Sequence, residues 1–121
     1  MEINVRKHED ICILDIVGEL KLGAPTELLQ RTFGKLIEDG ERYFLFNLLE
    51  APWLDSSGIG RVVGCYKRAR EKKGVVKLAL SDKARSQFTM VQMEKMFDIF
   101  ENLDDAIASF EGPDGKYRER F

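Results

Sequence analysis

Tyr43-Phe44-Leu45-Phe46-Asn47-Leu48-Leu49-Glu50-Ala51-Pro52-Trp53-Leu54-Asp55-Ser56-Ser57-Gly58-Ile59-Gly60 is the stretch that decides the fold. Its first seven residues are apolar except Asn47, the pattern of a strand buried on both faces. From position 59 on, Ile59, Val62, Val63, Tyr66 and Ala69 recur at helical spacing. The chain therefore turns from buried strand to helix across residues 50–55, and the helix is predicted from Ser57 to about Lys72, stopped at Gly74. Ser56 falls at or near its N-cap. A helix start offers unpaired backbone N–H groups and a partial positive charge, so it tolerates a seryl phosphate well. Taken alone, Asp55-Ser56-Ser57-Gly58 is more often a simple cap than a switch, with Gly58 and Gly60 serving only close packing.

Upstream, Ile3 to Lys7 alternates like an edge strand, His8-Glu9-Asp10 makes a turn, and Ile11 to Val17 gives a second, more apolar strand ended by Gly18. A helix then starts near Pro25 and presents Leu28, Leu29, Phe33, Leu36 and Ile37 on one face, closing at Asp39-Gly40. Downstream, residues 75–80 give a fourth strand. Ser81-Asp82 caps a helix reaching about Met90, residues 97–100 form a brief last strand, and Leu103 to Glu111 a final helix. Strands separated by single helices are joined by right-handed crossovers and lie parallel. The predicted fold is an α/β single domain: a small mixed sheet of four or five strands with about four helices packed on it. In such sheets functional groups gather beyond the carboxyl ends of the strands, and Ser56 lies at such an end.

The chain has 121 residues, enough for one layered core and too few for two. The domain spans residues 1–111; residues 112–121 are a charged tail without apolar periodicity, expected to fray and less often to dock through Tyr117 and Phe121. Nineteen Lys plus Arg against 21 Asp plus Glu leave a formal net charge of −2, which gives no general electrostatic reason to bind nucleic acid or an acidic membrane. No apolar h-region opens the sequence and no run approaches the roughly 18 residues of a membrane helix, so a cytoplasmic location is expected. Cys12 and Cys65 fall in a predicted strand and helix with no CxxC or Cys/His cluster, the pattern of buried, reduced thiols; no metal or other cofactor is expected.

With this element order in place, the chain resembles the STAS domains that act as bacterial anti-sigma factor antagonists. The resemblance covers nearly all of residues 2–111. It rests on Gly18-Glu19-Leu20, Phe46-Asn47-Leu48, Tyr66-Lys67 and Phe97-Asp98-Ile99-Phe100, and above all on Asp55-Ser56-Ser57-Gly58-Ile59-Gly60. The resemblance implies a mixed sheet with helices on one side and Ser56 as phosphoacceptor. It also implies a partner that is both anti-sigma factor and serine kinase, with ATP and magnesium held by that kinase. The unmodified form binds this partner and frees the sigma factor; a PP2C-type phosphatase resets the switch.

The charge logic stands independently of the family. A seryl phosphate adds about −1.5 to −2 charges where a docking surface must desolvate, so binding falls while the fold persists, the dianion being received by the amides of Gly58 and Ile59. The partner surface is expected to include Asp55, Ser57, Gly58, Ile59, Arg61 and Lys21, the loop 50–54, and a helix face with Lys67 and Arg68. Asp55 itself caps the helix or orients the kinase. Trp53 is either a hot spot there or, more often for a lone ring, a lid on the core. Lys21 stands where many relatives carry an acid. Met90, Met93 and Met96 read as core filler or as partner surface.

Three rivals remain beside this reading. One is a phospho-switch of the same fold acting on a non-sigma partner, which the sequence does not separate from the first. Another is an unphosphorylated STAS scaffold subunit of a transporter, which has no need of the Asp55–Gly58 motif. The third is an enzyme, disfavoured because the single histidine, His8, sits on a predicted turn far from Ser56 and no Gly-x-Ser-x-Gly elbow or phosphate-binding loop occurs. Weak self-association is left open.

Overall fold

The computed structural model describes residues 1–111; the sequence expectation for residues 112–121 lies outside them. The chain forms strands β1 (Glu2–His8) and β2 (Ile11–Val17), helix α1 (Ala24–Glu38), strand β3 (Tyr43–Leu48), helix α2 (Ser56–Glu71), strand β4 (Val75–Leu80), helix α3 (Asp82–Met90), a 3₁₀ turn (Glu94–Met96), strand β5 (Ile99–Phe100) and helix α4 (Leu103–Ala108). The five strands lie side by side in sequence order. The β1–β2 hairpin is antiparallel and every later pair is parallel, as crossover helices require.

Strand alternation divides the core into two. Cys12, Leu14 and Ile16 of β2, Phe44, Phe46 and Leu48 of β3, and Val76, Leu78 and Leu80 of β4 point to one face. There they meet Leu29, Phe33 and Ile37 of α1, Ile59, Val62, Cys65 and Ala69 of α2, and Ala84 and Phe88 of α3. Ile11, Ile13, Leu45, Val75 and Ala79 point the other way and are covered by Ala106 and Phe110. The expectation of helices on one side is thus corrected: α1, α2 and α3 share one face and α4 closes the other. The cause is β4, buried at all six positions, which needs cover on both faces.

The remaining departures are local. His8 is the last residue of β1 rather than part of the turn, which is Glu9–Asp10. The last strand shortens to Ile99–Phe100 because Phe97 turns into the core instead, its ring meeting Tyr66 and Phe88 edge-on at 5.1 and 5.8 Å. Met93 and Met96 pack against the main core, whereas Met90 is 82% exposed. Both cysteines are free and buried. Burial pushes the Cys12 thiol up to about 11 and that of Cys65 up to about 12, so neither is a reactive thiolate at neutral pH.

Candidate functional site: the start of helix α2

Two segments cross beyond the carboxyl ends of β2 and β3 and fix where α2 begins. After β2 the chain continues as a strap, residues 18–22, alongside the loop 50–55. Gly18 N donates to Glu50 O at 3.0 Å, Leu20 N to Trp53 O at 3.0 Å, and Asp55 N to Leu20 O at 3.3 Å. Leu20 and Leu54 form an isolated parallel bridge. Leu20, Ala51 and Leu54 are buried, so the loop is anchored from below by its apolar members. From the side, Gln87 of α3 accepts from Leu54 N at 2.6 Å through Oε1 and donates through Nε2 to Pro52 O at 3.4 Å.

Asp55 is the N-cap of α2, and Ser56 is the first helical residue. Its Oδ1 accepts from Gly58 N at 2.7 Å, and its Oδ2 from Leu22 N in the strap at 3.0 Å. One carboxylate therefore both caps the helix and ties down the strap. The Leu22 bond is the main reason its pKa lies below the ordinary carboxylate value, with further help from the Gly58 and Ser57 amides. Ile59 N donates to Asp55 O at 3.0 Å. The Gly58 and Ile59 amides, expected to receive a seryl phosphate, are thus already engaged by Asp55 in the unmodified domain.

Gly58 is demanded by sterics. A Cβ there would lie 2.1 Å from Leu20 O, closer than any real contact, so only glycine lets α2 start against the strap. Gly58 is buried and Ile59 is 4% exposed, inside the main core. Expected on the partner surface, these two lie beneath it and shape the turn instead.

The other expected residues divide as follows. Ser56 is exposed and Ser57 half-buried. Trp53 is 47% exposed and does not lid the core; Ala51 and Leu54 do that. Lys21 is exposed and 3.9 Å from Glu19, an ion pair of little weight in solvent. Arg61 is half-buried, five residues beyond Ser56, and with Arg68 lines the groove against α1, while Lys67 is exposed. Two participants are new. Leu22, 74% exposed, stands next to the Asp55 carboxylate, and Gln87 supports the loop from α3. An apolar residue in the strap was visible in sequence as Leu22; nothing local to Gln87 signalled a partner 33 positions away.

His8 lies in β1 at the far end of the sheet from this site, beside Ile11 at the start of β2. Among the described residues no group of His, Cys, Asp and Glu could hold a metal, and no helix is long and apolar enough to cross a membrane.

Fold and site together define a small α/β domain whose distinguishing feature is an exposed serine opening the helix after the central strand. The STAS domain family model matches residues 2–106, and the chain belongs to the STAS family. Among solved structures, it is similar to an anti-sigma factor antagonist from Mycobacterium paratuberculosis, at 19% identity over 88% of this chain and 91% of that one, with a TM-score of 0.77. The Bacillus cell fate determinant SpoIIAA in its phosphorylated form is 19% identical over 88% and 97%, with a TM-score of 0.68. A sulfate transporter family protein from Wolinella succinogenes is 17% identical over 84% of each chain, with a TM-score of 0.74. At these identities the likeness is one of fold.

Proposed function

We propose that this domain is a cytoplasmic anti-sigma factor antagonist whose docking to an anti-sigma factor with serine kinase activity is switched off by phosphorylation of Ser56. The observation that carries the reading is the placement of Ser56. It is exposed on the first turn of α2, its hydroxyl makes no hydrogen bond among the described residues, and the exposed side chains of Leu22 and Trp53 come from the two segments that Asp55 and Leu20 hold together. Exposed apolar residues around an accessible hydroxyl suit a surface that is dry when bound and is spoiled by charge.

Phosphorylation adds about −1.5 to −2 charges beside Asp55, which is already ionised and holds the first free amides of the helix. The dianion is therefore left to face the partner rather than being absorbed by the helix start. Complex formation requires its desolvation, so affinity falls, and the buried groups below the site keep their contacts. The domain acts by occupancy and contributes no chemistry; the kinase supplies nucleotide and magnesium, and a PP2C-type phosphatase reverses the modification.

The test is a binding and labelling series with the cognate kinase. Ser56→Ala is expected to bind like the parent and to take up no phosphate, while Ser56→Asp and the phosphorylated parent bind more weakly. Equal affinity of parent, Ser56→Asp and phosphorylated protein would refute the charge mechanism. Labelling that persists in Ser56→Ala moves the acceptor elsewhere.

A further inference from the structure

The groove between α1 and α2, lined by residues of α2 from Arg61 onward, carries charge that the fold leaves unused. Gln30 and Phe33 of α1 and Arg61, Gly64, Cys65 and Arg68 of α2 line a half-open groove of about 160 Å³. Arg61, Gly64 and Arg68 stand at i, i+3 and i+7, one stripe of the helix. No carboxylate is among the lining residues, and neither arginine takes part in an ion pair among the described residues. The Nε of Arg61 is buried without a hydrogen-bond partner. A buried donor on a charged group is normally satisfied, and an orphan there calls for an acceptor that completes it.

Two glycines hollow out the groove. Gly34 is buried in mid-α1, where glycine costs a helix roughly 1 kcal/mol against alanine. A Cβ on it would lie 3.1 Å from Arg68 Nη1, so the missing side chain is the space in which that guanidinium rests. Gly64 sits between the arginines, and a Cβ on it would meet nothing within 4 Å. The floor offers no counter-charge, because the Cys65 thiol is pushed up to about 12 by burial despite both guanidiniums.

We propose that this groove is a binding site for a phosphate group, gripped between the guanidiniums of Arg61 and Arg68 with the Gln30 amide at its rim. Guanidinium forks match the oxygens of a tetrahedral dianion in paired, charge-assisted hydrogen bonds, which a lone carboxylate does not complete on both arginines. The volume corresponds to about five waters at roughly 30 Å³ each, enough for a phosphate and its first substituent. It falls below the roughly 300 Å³ at which whole small-molecule sites begin, so the remainder of the ligand lies outside the groove. The site is separate from the switch and stands whether or not Ser56 is phosphorylated.

The experiment uses Ser56→Ala as the parent, so that modification at position 56 plays no part. Inorganic phosphate is titrated into the full chain at constant ionic strength, following the arginine Nε–H signals and the Gly64 and Cys65 amides by NMR. Acetate serves as the control anion. Saturable shifts confined to the groove are expected with phosphate and not with acetate. Arg61→Gln and Arg68→Gln should each weaken binding about tenfold or more, the loss expected for one charged hydrogen-bond partner. Gly64→Leu, which fills the groove and keeps both charges, should abolish binding with the unfolding midpoint retained. A phosphoserine peptide compared with glycerol phosphate then distinguishes sources: tighter binding of the peptide assigns a phosphorylated protein segment, tighter or equal binding of glycerol phosphate a small phosphorylated molecule. Shifts that never saturate, equal binding of acetate, or Gly64→Leu binding like the parent would overturn the proposal.

Discussion

At the scale of the residue, the site depends on Asp55 more than on the serines beside it. Replacing Asp55 with alanine removes an N-cap, about 1 kcal/mol, and the bond to Leu22 N, roughly another 0.5–1.5 kcal/mol. Urea unfolding should show a loss of about 1.5–2.5 kcal/mol. Asp55→Asn, which keeps an acceptor, should lose less. The acid dependence follows from the same bonds. Asp55 has its pKa lowered in the fold, and so does Asp15, where burial works against ionisation but hydrogen bonds from Arg6 at 2.6 Å and Asn47 at 2.7 Å outweigh it. Groups with depressed folded values stabilise above their unfolded pKa of about 3.9 and lose that contribution as pH falls through the lower folded value. Stability should therefore drop on acidification below about pH 4, and the drop should be shallower in a double Asp15→Asn, Asp55→Asn variant. The sequence placed the cap at or near Ser56 with the helix from Ser57, and the structure moves it one residue back to Asp55, an equally good cap by type. The Leu22 amide, 33 positions away, is what selects Asp55. Gly58 was likewise visible as a packing glycine, though not that its neighbour is Leu20 O; Gly58→Ala is expected to cost about 1–3 kcal/mol by overpacking and to shift the Leu20 amide in NMR spectra.

At the scale of the element, strands and helices were legible wherever one periodicity ran uninterrupted. The apolar run of β3, the 3.6-residue pattern of α1 and α2, and the Ser81 cap of α3, which accepts from Ala84 N at 3.3 Å, all matched their sequence signals. Segments shaped by tertiary contact were less legible. Between α3 and β5, Met93, Met96 and Phe97 turn toward the main core while residues 91, 92 and 95 stay exposed, a spacing that matches neither helix nor strand. The helix that supports the site also illustrates this limit. Gln87 looks like an ordinary polar residue of a surface helix, yet it holds the loop 52–54 by both amide atoms. Gln87→Met preserves volume and leaves the Leu54 amide without its acceptor, a cost of about 1–3 kcal/mol for a buried donor. The Leu54 amide should exchange with solvent faster than in the parent, while amides in β2 keep their protection. Uniform loss of protection across both would mean that the loop is not an independent support for the helix start.

At the scale of the whole molecule, α4 is held on its face of the sheet by one buried charge. The strand 75–80 was read from sequence as a strand despite Lys77 in its middle, and the structure buries that lysine to 1% exposure on the α4 face. Its Nζ donates to Ser109 O at 2.8 Å and to Ser109 Oγ at 3.1 Å, lies 3.7 Å from Asp98 Oδ2, and stands 4.7 Å over the Phe110 ring. One side chain thus connects β4 to the residue before β5 and to the C-cap of α4. The connection could not be read from sequence because its partners lie 21 to 33 positions away. Two substitutions separate the packing role from the charge. Lys77→Ala leaves a cavity in the layer between sheet and helix and should destabilise by about 2–5 kcal/mol. Lys77→Met keeps most of the volume but leaves Ser109 O without its donor and Asp98 without its cation, so it should cost about 1–3 kcal/mol, less than Lys77→Ala. Chemical unfolding of the two variants reads the difference. If Lys77→Met is instead as damaging as Lys77→Ala, the hydrogen bonds to Ser109, rather than apolar packing, hold α4 on the sheet, and the α4 amides should then show the largest gain in exchange.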